Sequence, residues 1–246
     1  MPRQTVKRES NLEQDRWVQL GAVERTRNFN EKWVSVSVKR KPVFSHGGSV
    51  ARLPGLLGAN TCDAIISCAE AHADWKERGD SVDGQPEWQH TVIDYSSRFC
   101  SQSLGALVTL LAEEIVLPAL KAAFGLEPRD LYLHWAFVRA YAPKRRQQFP
   151  VHRDSSVATA NILLSDPGSF EGAELFVLGQ SHSGADRLPE KEFRRRLPER
   201  VLRRDHSVDY KQGECIMHLG KRMHGVLPIL SGTRHTLILM FQERKK

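Results

Sequence analysis

A succession of short segments in the second half of the chain limits its fold more than any other feature. LYLHWAFVRAYA, SVATANILLS, AELFVL, ECIMHL and RHTLILMF, from about Leu131 onward, are rich in β-branched and aromatic residues. Such residues suit a pleated, largely buried surface, and turn signals such as Asp166-Pro167-Gly168 fall between the segments. Two helical patterns precede them. ANTCDAIISCAEAHADW repeats Ile65, Ile66, Ala69 and Ala73 at helical spacing, with Asn60 or Thr61 able to cap its orphan N–H groups. SQSLGALVTLLAEEIVLPALKAAFGL carries an apolar stripe of Leu104, Leu107, Leu111, Ile115 and Leu120. Pro118 is expected to kink that helix and Gly125 to end it. Strands after a block of helices predict an α+β protein whose second half is a sandwich or barrel.

The remaining segments are read from polarity. Residues 1–45 form a polar extension, loosely ordered up to about residue 32, in which WVSVSV (Trp33 to Val38) alternates as a short strand. Residues 76–90 read as loop, and a charged insertion over 180–206 interrupts the strands. No apolar run approaches the roughly 20 residues of a membrane span, and the first residues lack the apolar stretch of a secretory signal. The expected compartment is therefore the cytoplasm. Cys62, Cys68, Cys100 and Cys215 contain no CxxC pair, which fits reduced thiols and argues against a zinc finger.

Net charge is +7 and the isoelectric point about 9.4. The excess lies in scattered clusters, such as Lys39-Arg40-Lys41, Lys144-Arg145-Arg146 and Arg194-Arg195-Arg196, with few aromatic residues among them. They read as solvated surface, so nucleic acid is not the expected partner.

One stretch carries the chemistry. FPVHRDSSVATANILL spells His-Arg-Asp, the opening of a protein-kinase catalytic loop. In kinases, however, the metal-binding asparagine lies closer to the aspartate than Asn161, which follows Asp154 by seven residues. The chain also lacks a glycine-rich phosphate loop and an Asp-Phe-Gly motif. The alternative is His-x-Asp as a metal clamp. A second copy, His72-Ala73-Asp74, falls on an expected helix, where residues two apart diverge. His152 and Asp154 fall where the chain enters a strand, and residues two apart on a strand share a face. A third ligand is available in His224, and Arg234 follows it by ten residues at the head of the last apolar strand. Two imidazoles and one carboxylate make the facial triad that leaves positions open on Fe(II). An arginine nearby can grip a dicarboxylate through two parallel charge-assisted bonds.

The pattern His152-x-Asp154, His224 and Arg234 resembles that of the Fe(II)/2-oxoglutarate-dependent dioxygenase superfamily, most closely the catalytic domains of prolyl 4-hydroxylases and lysyl hydroxylases. VRAYAPKRRQQFPVHRDSS places Tyr141 eleven residues before His152, as in the lysyl hydroxylases. Asn161 matches another cosubstrate contact of that family. FEGAELFVL is similar to its Phe-x-Gly-Gly segment with Ala173 in place of the second glycine, and HLGKRMH to its His-x-Gly-x-x-x-His. The strong match covers about Leu131–Phe241, and a looser one reaches back to about Val50.

The resemblance implies a double-stranded β-helix, or jelly-roll, over about 129–244, supported by helices over about 50–128, within an oxygenase domain spanning 46–246. It implies Fe(II) on His152, Asp154 and His224. It also implies 2-oxoglutarate held by Arg234, Tyr141 and Asn161, O2 as co-substrate, and ascorbate as an expected auxiliary reductant. His218 and His235 are expected to stay outside the ligand set. The implied reaction is hydroxylation of a C–H bond, on peptidyl lysine or proline, with succinate and CO2 as co-products. A free amino acid or another small molecule is the alternative substrate, and a non-catalytic jelly-roll binding module the alternative class. The insertion over 180–206 reads equally as a lid or as a solvated excursion, and the sequence leaves the oligomeric state open.

Overall fold

The structure is a computed structural model. It describes residues 25–28, 32–35 and 43–45, and then 50–178 except 72–74 and 76–78, and 207–244. Three short strands come first: β1 (Arg25–Asn28), β2 (Lys32–Ser35) and β3 (Val43–Ser45). Then follow β4 (Val50–Leu53), β5 (Gln89–Ile93), β6 (Leu131–Tyr141), β7 (Phe149–His152) and β8 (Ala158–Leu163). The rest are β9 (Phe170–Gly172), β10 (Leu175–Val177), β11 (Ser207–Val208), β12 (Cys215–Leu219), β13 (His224–Val226), β14 (Ile229–Gly232) and β15 (Arg234–Glu243). A seven-stranded sheet in the order β3-β4-β12-β8-β15-β6-β5 faces a four-stranded one, β11-β10-β13-β7. Neighbouring strands in both run antiparallel. This is the expected double-stranded β-helix.

Strand alternation sorts the side chains of the large sheet between two cores. Leu237, Leu239 and Phe241 of β15, Ala136 and Val138 of β6, Ala160 and Ile162 of β8, and Cys215 and Met217 of β12 face outward. They pack with Ile65, Leu104, Leu107, Leu111 and Leu120 of the helices. The opposite parity, including Tyr141, Leu163 and Ile216, meets Phe149, Leu175, Val177 and Val226 of the small sheet. Both faces of the central strands are thus buried, and the interior parity can hold chemistry.

The helical layer explains two punctuation marks in the sequence. The first helix, α1, spans Ala59–Ala71. The second pattern divides into α2 (Gln102–Leu111), one π-helical turn (Ala112–Val116) and α3 (Leu117–Phe124). Pro118 lacks an N–H and would clash with the carbonyl a turn earlier in a continuous α-helix. The wider turn, with Leu117 N–H bonded to Ala112 O, puts Pro118 in the first turn of α3 instead. Gly125, at φ +70°, closes α3 in the left-handed conformation.

Two departures from expectation have local causes. The loop expected over 76–90 gives way to β5 at Gln89, whose five residues are all buried; no polar alternation marks it. Within the polar extension, Arg25–Asn28 pairs with Lys32–Ser35 as a hairpin. The strand read in WVSVSV is described only as far as Ser35, and the second His-x-Asp, His72 to Asp74, lies outside the described residues. Among the described residues no helix is long and apolar enough to cross a membrane.

Candidate metal centre

Cross-strand pairing brings the two imidazoles together. His152 ends β7, His224 opens β13, and the two are register partners. Their ring centroids lie 4.2 Å apart. Asp154 is not on a strand, and so does not share a strand face with His152; it lies in the turn after β7. Its N–H donates to Gly220 O at 3.0 Å, and Thr159 Oγ1 donates to its Oδ2 at 2.5 Å. The turn and Thr159 aim the carboxylate, not the pleat. His152 Nε2 lies 3.3 Å from Asp154 Oδ1, and His224 Nε2 lies 3.5 Å from Oδ2. The three candidate ligand atoms all fall within 4.8 Å of one another.

Hydrogen bonding orients both rings toward this point. His152 Nδ1 lies 2.9 Å from Pro150 O, and His224 Nδ1 lies 2.9 Å from Arg222 O. A carbonyl only accepts, so each Nδ1 donates to its carbonyl and each Nε2 faces Asp154. Burial pushes the His224 pKa well below its ordinary value. Burial alone would raise Asp154, but His224 and His152 outweigh it and hold the carboxyl below the usual carboxylate range. Two imidazole nitrogens and one carboxylate oxygen form the donor set that suits Fe(II) with open coordination positions. His218 lies alongside, its ring 4.2 Å from that of His224, but it is not one of the three clustered ligands.

Two substitutions test how the carboxylate is aimed. Thr159→Val removes one bond to Asp154 and is expected to weaken Fe(II) binding about tenfold to a hundredfold in anaerobic titration. Unchanged affinity would leave the aiming to the turn alone. Gly220→Ala would put a Cβ 1.8 Å from Ser156 O, in the segment whose carbonyl holds Asp154. Its expected result is a lower melting temperature together with weaker metal binding. A stable variant with full affinity would mean that the segment relaxes freely.

The three residues expected to hold the diacid converge on the interior face beside the metal cluster. Arg234 and Tyr141 are cross-strand partners on β15 and β6, and Asn161 lies opposite Ile238 on β8. Tyr141 and Asn161 line a cavity of about 190 Å³ together with His152, Asp154 and His224. Arg234 lies one layer behind, 1% exposed, its guanidinium carbon 5.5 Å from the Tyr141 ring centroid. Among the described residues no carboxylate pairs with it. Nη2 donates to the Tyr210 hydroxyl, and Nη1 has no hydrogen-bond partner among the described residues. A buried guanidinium left without an anion is costly, and a carboxylate arriving from the cavity would relieve that cost. Thr236 Oγ1, two residues on and on the same strand face, is likewise buried without a partner among the described residues.

Sequence reasoning overlooked three of these neighbours. Thr236 and Arg139 lie two residues from Arg234 and Tyr141, so strand parity alone could have found them. Arg139 lines the cavity but is already paired with Asp80 at 3.0 Å. Tyr210 follows the charged insertion at no recognisable spacing, and nothing in the sequence marks it. Ala173, where the resemblance expects glycine, adopts φ 52°. A left-handed alanine costs about 1 kcal/mol that glycine would avoid.

Fold and side chains together define a class: a double-stranded β-helix with two imidazoles and a carboxylate gathered at its cavity. The chain is similar to proteins named as 2-oxoglutarate- and iron-dependent oxygenases. The Mus musculus 2-oxoglutarate and iron-dependent oxygenase domain-containing protein 2 is 26% identical over 206 residues, which make up 82% of this chain and 51% of that protein. The chain thus spans about half the length of this relative. A 2OG-Fe(II) oxygenase family oxidoreductase from Burkholderia pseudomallei superposes with a TM-score of 0.56 at 13% identity, covering 80% of this chain and 86% of its own. A Pseudomonas putida prolyl-4-hydroxylase superposes with a TM-score of 0.52 at 16% identity, covering 82% and 95%. At these identities the structures speak for the fold. No protein-family model matches the chain.

Proposed function

We propose that this chain is a 2-oxoglutarate- and Fe(II)-dependent oxygenase that hydroxylates a C–H bond of a peptidyl lysine or proline. One observation supports this above the rest: a two-imidazole, one-carboxylate cluster shares its cavity wall with Tyr141 and Asn161, and a buried arginine that pairs with no carboxylate among the described residues stands behind them. His152, Asp154 and His224 would hold the metal. Bound Fe(II), with 2-oxoglutarate and O2, supplies the oxidising power for hydroxylation and yields succinate and CO2.

The chain's own residues supply binding and exclusion. Arg234 neutralises the far carboxylate of the diacid, the Tyr141 hydroxyl donates to it, and Asn161 offers its amide. Phe137, Ile238 and Met240 give the cavity an apolar wall that limits water around the reacting group. A peptide is favoured over a free amino acid by the outer wall. Tyr95, 56% exposed, stacks on Trp135 at 4.4 Å between centroids, and Trp135 continues to Phe137 at 4.1 Å. Such a paved edge offers an extended chain a surface beyond the residue being modified.

The test is a panel of lysine- and proline-containing peptides and free amino acids, incubated with the Fe(II)-loaded protein and 2-oxoglutarate. Succinate formation stimulated by a peptide, with one oxygen gained by that peptide in mass spectrometry, is the expected result. Stimulation by free amino acids alone would shift the substrate class, and no 2-oxoglutarate consumption at all would overturn the reading.

A further inference from the structure

Tyr210 makes the closest polar contact to the cation on which the oxygenase reading depends. Its hydroxyl accepts from Arg234 Nη2 and donates to Asn161 Oδ1 at 3.0 Å. The residue is 5% exposed, and burial pushes its phenol above the ordinary value, so it keeps its proton at physiological pH. It lies just past β11, where the chain turns through Lys211 to Gly213 into β12.

We propose that Tyr210 is a cosubstrate-binding residue whose hydroxyl, beside Arg234, donates to the distal carboxylate of a 2-oxo diacid; the inference rests on the oxygenase reading above. The guanidinium fork explains why. A carboxylate docks on such a fork with two oxygens against two nitrogens. Here Nη2 is already met by the phenol oxygen and Nη1 has no partner among the described residues, so a carboxylate is left Nη1 for one oxygen and the phenol hydroxyl for a further bond. A carboxylate that takes Nη1 therefore brings an anionic oxygen up to the Tyr210 hydroxyl. Rotation about the phenol C–O bond then turns its hydrogen from Asn161 Oδ1 to that oxygen. The ring stays in place and no proton is transferred. The exchange is favourable because an anionic acceptor forms a stronger bond than a neutral amide oxygen. Asn161 in turn keeps the hydroxyl near the cation until the diacid arrives.

The prediction separates a contact with the distal carboxylate from a general packing role. Mn(II)-loaded wild-type protein and Tyr210→Phe are titrated by calorimetry with 2-oxoglutarate and, into the millimolar range, with 2-oxobutanoate. The second compound keeps the 2-oxo acid end and lacks the distal carboxylate. Tyr210→Phe is expected to weaken 2-oxoglutarate binding about tenfold or more and to leave 2-oxobutanoate binding unchanged. Equal losses for both compounds would assign Tyr210 to packing and overturn the proposal, as would undiminished 2-oxoglutarate binding. Wild-type protein that binds no 2-oxoglutarate would overturn the oxygenase reading itself, an outcome distinct from the other two. Binding of 2-oxobutanoate by the variant also reports that its fold and metal site are intact.

Discussion

Asp154→Ala is expected to retain no iron and to form no succinate from 2-oxoglutarate. The carboxylate is the one anionic member of the cluster, and its loss leaves two imidazoles with no negative charge to offset a divalent cation. Removing a partner that merely orients a ligand already costs about tenfold to a hundredfold in affinity, so removing the ligand should exceed the upper end of that range. The wild-type protein should gain in melting temperature when Fe(II) is added anaerobically, because a ligand bound only by the folded state stabilises it. The variant should show no such gain. Iron retained at wild-type stoichiometry by Asp154→Ala would place the metal elsewhere.

Arg234→Gln addresses the other half of the site. Metal binding should survive, since Arg234 stands behind the cavity wall and touches none of the three ligands in the contacts described. Affinity for 2-oxoglutarate should fall about a hundredfold or more, the scale seen when one partner of a buried, hydrogen-bonded charge pair is truncated. Calorimetry on the Mn(II)-loaded variant measures the loss. An unchanged dissociation constant would move the anchoring role to another cation, and Arg139 is the candidate because it lines the same cavity. Thermal stability separates these two arginines. Arg139 is tied to Asp80 at 3.0 Å and to Gln89 at 2.8 Å, and so belongs to the fold, whereas Arg234 pairs with no carboxylate among the described residues.

Much of this was legible because strands enforce parity. The segments after Leu131 become β6, β8, β10, β12 and β15, and alternation along β15 separates Arg234 from His235. His235 duly faces the helices, its Nε2 2.7 Å from Glu70 Oε1. The cross-strand pairing of His152 with His224 follows from β7 and β13 lying side by side, but that neighbourhood is a property of sheet order, which spacing alone does not encode. Where local pattern ran out, the reading faltered. Asp154 was expected on a strand face, yet a turn and a threonine five residues on aim it. β5 is buried along its whole length and lacks a polar face to announce it. Tyr210 reaches the site only through the fold, across |i−j| = 24 to Arg234 and 49 to Asn161. The insertion over 180–206, read equally as a lid or a solvated excursion, lies outside the described residues.

A single experiment reaches the core of the account: an anaerobic crystal structure of the protein with Mn(II) and 2-oxoglutarate. One metal ion should be coordinated by nitrogens of His152 and His224 and an oxygen of Asp154, with the far carboxylate of the diacid against Arg234. A metal bound by other residues, or a diacid anchored on Arg139 with Arg234 still facing only Tyr210, would contradict it.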